Sequence, residues 1–322
     1  MCVRPAPGSI ARMIEVRDLT KDYGDKRVVN RLSFTARPGV VTGFIGPTGS
    51  GKSTTMRIIL GLDAPTSGTA LVNGQRPATL DRPMQTVGAL LDVGALHGGR
   101  SAADHLGSLA CSNGIGHRRV AEVLEEVGLS ELAANRIDGF SRGMRQRLGI
   151  AGALLGDPGV LLFDDPVNGL DPDGIRWVRD LMRSLAAAGR TVLVSGHHLS
   201  EMALTADQLL IVGRGELITE TSMQELTERS RRDVFVRTPR RGGLTTVLTG
   251  MGATVFAEPG GGLSVTGLDA WRIASAAAAA YIPIQELTPR SASLEDAYLE
   301  LTNASVECRV QSAGHLDRRP AS

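Results

Sequence analysis

The run Gly46-Pro47-Thr48-Gly49-Ser50-Gly51-Lys52-Ser53-Thr54 has the spacing G-x-x-x-x-G-K-[ST]. Glycines at these places let backbone N–H groups curl around phosphate oxygens with no Cβ in the way. Lys52, directly after them, can reach the β- and γ-phosphates of a nucleoside triphosphate, and the Ser53 hydroxyl can ligate Mg2+. Such a motif carries weight only between a strand and a helix. Here residues 40–45, all apolar but for a Thr and a Gly, read as a buried strand, and residues 55–60 read as the opening of a helix. The helix N-terminus adds the positive end of its dipole. The chain has only three lysines, Lys21, Lys26 and Lys52, among 35 basic residues. One of the three sits in the motif, which favours phosphate binding over an ordinary glycine-rich turn.

Three further segments narrow the chemistry. Val160-Leu161-Leu162-Phe163-Asp164-Asp165 is an apolar strand ending in acids, the pattern that holds Mg2+ in P-loop enzymes. Asp164 is placed to bind the ion, and Asp165 to polarise an attacking water. Phe140-Ser141-Arg142-Gly143-Met144-Arg145-Gln146 puts a serine at a helix start, where its hydroxyl and nearby N–H groups can meet a γ-phosphate. Taken alone, that segment reads better as an ordinary capped helix. Ser195-Gly196-His197-His198 follows a strand, and His197 there can contact the γ-phosphate and position water.

These groups need a sheet to hold them. Residues 13–92 read as short strands with one helix after the phosphate loop, including a strand at 69–72 that runs into the turn Asn73-Gly74. Residues 93–157 turn helical, with apolar spacing of three and four at 101–110 and 118–127 and a third helix from Ser141. Strands at 160–163 and 191–194, a helix at 174–188 and a strand pair in 207–219 follow. This alternation predicts a mostly parallel, covered sheet. A charge-rich stretch near 228–232 precedes a small α/β unit with strands at 234–237, 253–257 and 282–287 and helices at 270–280 and 294–301. Residues 1–12 read as a disordered leader and 303–322 as a disordered tail.

Composition sets limits. The net charge is +1, so nothing marks a nucleic-acid surface. Aromatics are 3% of the chain, so the core must be aliphatic. The three cysteines, Cys2, Cys111 and Cys308, are far apart and odd in number, which argues against a disulfide framework or a zinc site. No stretch is long and apolar enough for a membrane span.

In this order the motifs resemble the ATP-binding subunits of ABC transporters over roughly residues 13–302. The resemblance implies an α/β P-loop NTPase core (an ABC ATPase domain, 13–230) with a mostly parallel sheet and a helical subdomain at about 93–157, then a small C-terminal α+β unit at 231–302. It implies ATP and Mg2+ as ligands. Tyr23 takes the place that stacks on adenine, Asp171 the D-loop, and His197 the switch histidine. Ser141, Arg142, Gly143 and Met144 take the signature, which acts in trans across a homodimer or heterodimer of nucleotide-binding subunits. Asp92 takes the place of the Q-loop glutamine, sensing Mg2+ alongside Ser53 and Asp164. The tail Ser293-Leu294-Glu295-Asp296-Ala297-Tyr298-Leu299-Glu300-Leu301-Thr302 is similar to the antibiotic- and drug-export branch (daunorubicin- and bacitracin-resistance type). In that branch the permease is a separate polypeptide and the ATPase is peripheral on the cytoplasmic face of the membrane.

The chain departs from the family pattern at three places. Asp165 stands where a glutamate is usual, one methylene shorter, and about 1 Å of retreat can cost on the order of 10²-fold in rate. Asp92 replaces a glutamine. Arg142 and Met144 replace a small residue and an amide. The leading expectation is an ATPase that energises export of a small hydrophobic compound. The alternative is an ATP-driven dimerisation switch with very slow hydrolysis. A soluble ABC protein acting on ribosomes or DNA fits less well, because the chain has one cassette, no heptad run and no basic excess.

Overall fold

The computed structural model describes residues 12–92, 94, 96–197, 199–230, 233–258 and 261–290. The expected leader (but for Arg12), the helix at 294–301, the export-type tail motif, the 303–322 tail and His198 lie outside them. The chain divides into two compact units, Met1–Ser222 and Met223–Ser322. The sequence reading drew that border at 230; the helix Met223–Ser230 instead goes with the second unit.

The first unit runs β1 (Ile14–Tyr23), β2 (Lys26–Ala36), β3 (Val41–Ile45), α1 (Lys52–Ile59), β4 (Ser67–Val72), α2 (Pro83–Thr86) and β5 (Val87–Leu90). It continues with α3 (Ala102–Ser112), α4 (His117–Glu126), α5 (Arg142–Leu154), β6 (Val160–Phe163), α6 (Pro172–Ala187), β7 (Thr191–Gly196), α7 (Leu199–Ala203), β8 (Gln208–Gly213) and β9 (Glu216–Ser222). Six strands form one sheet in the order β5-β6-β7-β3-β8-β9. All pairs are parallel except β8 with β9. A second sheet, β2-β1-β4, is antiparallel.

The central strands are mostly apolar because helices and the second sheet cover them. Every residue of β3, β6 and β7 is buried. Phe44, Leu162, Leu193 and Leu210 share one core with Ile14, Val16 and Leu19 of β1 and with Met56 and Ile59 of α1. The helix after the loop starts inside the motif, at Lys52, three residues earlier than its apolar run suggests. Gly51, at φ 96°, turns the chain into it, and that conformation is open to glycine at little cost. The expected helical stretch resolves into α3, α4 and α5, with Ser101 and Ser141 capping α3 and α5.

The second unit, after α8 (Met223–Ser230), is β10 (Asp233–Arg237), α9 (Arg241–Gly250), β11 (Thr254–Ala257), β12 (Leu263–Thr266), α10 (Ala270–Ala279) and β13 (Glu286–Arg290). Its sheet order, β11-β12-β10-β13, is antiparallel. This is the ferredoxin-like split βαββαβ arrangement. It has its own core of Val234, Val236, Leu244, Leu248, Val265 and Ile273.

Two local readings change here. The last strand lies at Glu286–Arg290, not 282–287, because Ile282 closes α10 instead. Its N–H donates to Ala277 O at 2.9 Å after Tyr281 turns at φ 56°. Helix α9 was not foreseen: its glycines and threonines favour other conformations, and Leu244 and Leu248 hold it by packing into the core.

Among the described residues no helix is long and apolar enough to cross a membrane. Leu162, fully buried in the central strand β6, provides a test of the core. Leu162→Ala should lower stability by about 2–5 kcal/mol, read from the shift of the first urea-unfolding transition.

Candidate nucleotide site

The chemistry-bearing residues gather at the C-terminal ends of β3, β6 and β7. In a parallel sheet this is where ligands bind, at the point where strand order reverses. Ile45 of β3 pairs with Gly196 of β7, and Phe163 of β6 pairs with Val194. The phosphate-loop motif, Asp164 and His197 therefore leave the sheet side by side.

Pro47, Thr48 and Gly49 are exposed, and Gly46, Ser50, Gly51 and Lys52 are buried. A Cβ on Gly51 would come within 2.6 Å of Val28 O, and one on Gly46 would strike Val212 O. The loop thus needs glycine both for its turn and for the walls around it. Lys52 is 7% exposed. Its Nζ donates to Gly46 O at 2.7 Å and to Pro47 O at 3.0 Å. Burial pushes its pKa down, and the charges of Asp165 and Asp164 oppose that shift. The cation and the two acids therefore share one electrostatic site. Ser53 is exposed in the first turn of α1, and Thr54 is half-buried.

Asp164 and Asp165 are held from two sides. Asp164 N donates to Leu90 O of β5 at 2.8 Å. The Ser195 hydroxyl donates to Asp164 Oδ1 and accepts from Asp165 N at 3.0 Å. Ser195 is fully buried. The sequence motifs assign this serine no role; its signal is a hydroxyl near the end of the mostly apolar strand β7. His197 Nδ1 lies 3.3 Å from Asp165 Oδ1, so the expected acid and histidine do meet. Asp165 sits at φ 45°, a left-handed conformation that aspartate tolerates better than most residues.

Other expected residues lie further out. Asp92 is exposed two residues beyond Leu90, and its Oδ1 accepts from Gly94 N at 2.7 Å. Tyr23, at the end of β1, is 48% exposed. Its hydroxyl donates to Asp63 Oδ2 at 3.1 Å, and Lys21 Nζ stands 4.7 Å from its ring centre. Burial, then the bond to Asp63, raises its pKa, and Thr54 at the end of the loop opposes that rise.

Ser141 caps α5, accepting from Met144 N at 3.2 Å. The Arg142 side chain lies against Gly169, and Gly143 lies beside Leu170. Asp171 caps α6, accepting from Gly174 N at 2.8 Å.

Fold and site together define a P-loop ATPase of the ATP-binding cassette class. A profile of the ABC transporter family matches residues 29–168, and a domain of unknown function matches residues 232–295. The chain is 33% identical over 304 residues to YhcH of Bacillus subtilis (strain 168), an uncharacterized ABC transporter ATP-binding protein, covering 94% of this chain and 99% of that one. It is 38% identical over 227 residues to the bacitracin transport ATP-binding protein BcrA of Bacillus licheniformis, covering 69% of this chain and 74% of BcrA. A solved ATP-binding subunit of an ABC transporter superposes with a TM-score of 0.61 at 28% identity, covering 67% of this chain and 92% of that one. The chain belongs to the family of ABC transporter ATP-binding proteins and is an ABC-type ATPase.

Two outcomes are expected from this geometry. Ser195→Ala leaves Asp165 N without its acceptor and Asp164 without a donor, and should cost about 1–3 kcal/mol in urea unfolding. The buried Lys52 charge opposes folding of the nucleotide-free protein, because its native pKa lies below the unfolded one. Lys52→Met should therefore melt higher than wild type at neutral pH. The gap should close as pH rises from the lowered native value to that of a free lysine.

Proposed function

We propose that this chain is the ATP-hydrolysing subunit of an exporter of a small hydrophobic compound or antibiotic. It works as a nucleotide-sandwich dimer, homomeric or heteromeric, with a separate membrane permease that keeps it on the cytoplasmic face. The observation that carries this reading is the Asp165–His197 contact at 3.3 Å beside the buried Lys52. The likeness to BcrA, a bacitracin transport protein, supports the cargo class. We assign the ATPase domain to the first unit and the accessory domain to the second, which opens at Met223.

The loop from Gly46 to Thr54 fits a triphosphate. Gly46 and Gly51 leave no room for a Cβ, and among the described residues the Lys52 ammonium is bonded only to neutral groups (two loop carbonyls, with the Ser50 hydroxyl at 3.5 Å). Phosphate oxygens would replace those carbonyls as charged partners, restoring what burial takes from the lysine. Ser53, Asp164 and Asp92 would hold Mg2+, which neutralises charge on the β- and γ-phosphates. Tyr23 would stack on adenine. Asp165 would take a proton from the attacking water while His197 orients it. Ser141, Arg142, Gly143 and Met144 would close the site of the partner subunit, with Asp171 beside that interface.

For the permease, the apolar groove between α3 and α4, about 790 Å3, offers a seat. Ala103, Gly107, Val120 and Leu124 line it, and Asp104 and His117 stand among them. An amphipathic helix from a membrane subunit suits such a groove. Closure of the dimer on ATP would then move the permease, because ATP favours the closed state.

The second reading, a switch that binds ATP and barely hydrolyses it, rests on the short carboxylate of Asp165. The carboxylate already reaches His197, so we expect a competent enzyme. Mg2+-dependent phosphate release should be abolished in Lys52→Ala and fall by about 10²-fold or more in Asp165→Asn. Asp165→Glu should bring no gain in single-turnover rate. A large gain there would favour the switch, and equal rates for wild type and Lys52→Ala would overturn both the enzyme reading and the roles given to the loop.

A further inference from the structure

Gln146 lies in the second turn of α5 and is 3% exposed. A buried amide must be paired, and its Nε2 donates to Pro166 O at 2.6 Å. Pro166 follows Asp165 directly and has no N–H of its own, so this carbonyl is its sole backbone hydrogen-bonding group.

The backbone of Asp165 needs holding. At φ 45° it occupies a sparsely populated region, and such conformations persist only where the surroundings over-determine them. Three hydrogen bonds surround it. Asp165 N donates to the Ser195 hydroxyl at 3.0 Å, and Asn168 N donates to Asp165 O at 3.2 Å. Both belong to the end of the sheet and to the loop itself. The third, from Gln146, is the one that comes from α5.

The N-cap of α5 is Ser141. From there to Gln146 is about 7.5 Å of rigid helix. The same helix start touches the same loop at two more places. A Cβ on Gly169, at φ 77°, would strike the Arg142 side chain, and one on Gly143 would lie 3.4 Å from Leu170 Cδ2. The first turns of α5 and the segment 165–170 are thus packed as one body.

We propose that Gln146 is a positioning residue that ties the backbone beside Asp165 to the helix opened by Ser141, so that engagement of this signature by the partner's nucleotide sets this subunit's own Asp165. The inference rests on the dimeric ATPase reading given above. It assigns Gln146 no contact with nucleotide. Gln146 acts through Pro166 O, and its loss lets the Asp165 carboxylate drift from His197 while the phosphate loop stays intact.

The test uses the full chain with MgATP and compares wild type, Lys52→Ala, Gln146→Met and Gln146→Glu. Gln146→Met keeps length and loses the donor. It should retain thermal stabilisation by ATP and a KM within about twofold, while kcat falls about 10- to 100-fold and the Hill coefficient for ATP drops toward about 1. In Gln146→Glu, kcat relative to wild type should recover as pH falls from about 8 to about 6, because burial at this site (3% exposed) raises the pKa of the new carboxyl and its protonated form again donates to the carbonyl. A lowered melting temperature with wild-type kcat per folded molecule, or no pH-dependent recovery in Gln146→Glu, overturns the positioning role. If Gln146→Met does not fold, the Gln146→Glu profile decides. Wild type no faster than Lys52→Ala would instead overturn the ATPase reading on which the inference stands.

Discussion

The parallel pairing of β6, β7 and β3 is the constraint on which the candidate site depends. The phosphate loop, the acidic pair and His197 are far apart in the chain. They meet because Ile45 lies against Gly196 and Phe163 against Val194. Side chains alternate faces along a strand, so a slip of one residue would turn each apolar set to the wrong side. Complete burial of these strands fixes the register, and the register fixes the distances between functional groups. The precision of the site therefore derives from the same apolar core that stabilises the unit.

Within that frame the site is a balance of one buried cation against two carboxylates. Lys52 bonds to loop carbonyls, neutral partners for a charged group, and its lowered pKa reflects the cost. A site held in this way favours a ligand that brings negative charge. Ser195 serves both acids at once, donating to one side chain and accepting from the other residue's backbone. The left-handed turn at Asp165 is kept in place by such bonds and not by its own preference. Stability given up at the lysine and at the turn is recovered in the hydrophobic sheet beneath them, a common division between functional site and scaffold.

Much of this was legible in the residues. Largely apolar runs at 41–45 and 160–163 announced covered strands, and each ends at the group that matters. Ser101, Ser141, Asp171 and Asp269 each cap a helix, accepting an N–H three residues on; Ser141, the one read as a helix start, was recognisable because capping is local. Elements held by distant packing were less legible. Helix α9 has poor intrinsic preference and exists through Leu244 and Leu248. The apolar pair Ile282 and Ile284 looked like strand, yet both pack in the core as the chain leaves α10. Hydrophobicity alone does not distinguish a strand from the close of a helix.

By itself the sequence determined the phosphate loop, the strand that ends in Asp164 and Asp165, and the order of motifs that marks an ABC ATPase. These are local, since glycine freedom, apolar runs and caps act within a few residues. Tertiary structure alone decided that Ser195 bridges the two acids, that Asp165 reaches His197, and that Gln146 holds the peptide beside Asp165. Those contacts join residues 20 to 32 positions apart. Their geometry is set by strand neighbours and helix packing, which no single stretch of chain encodes.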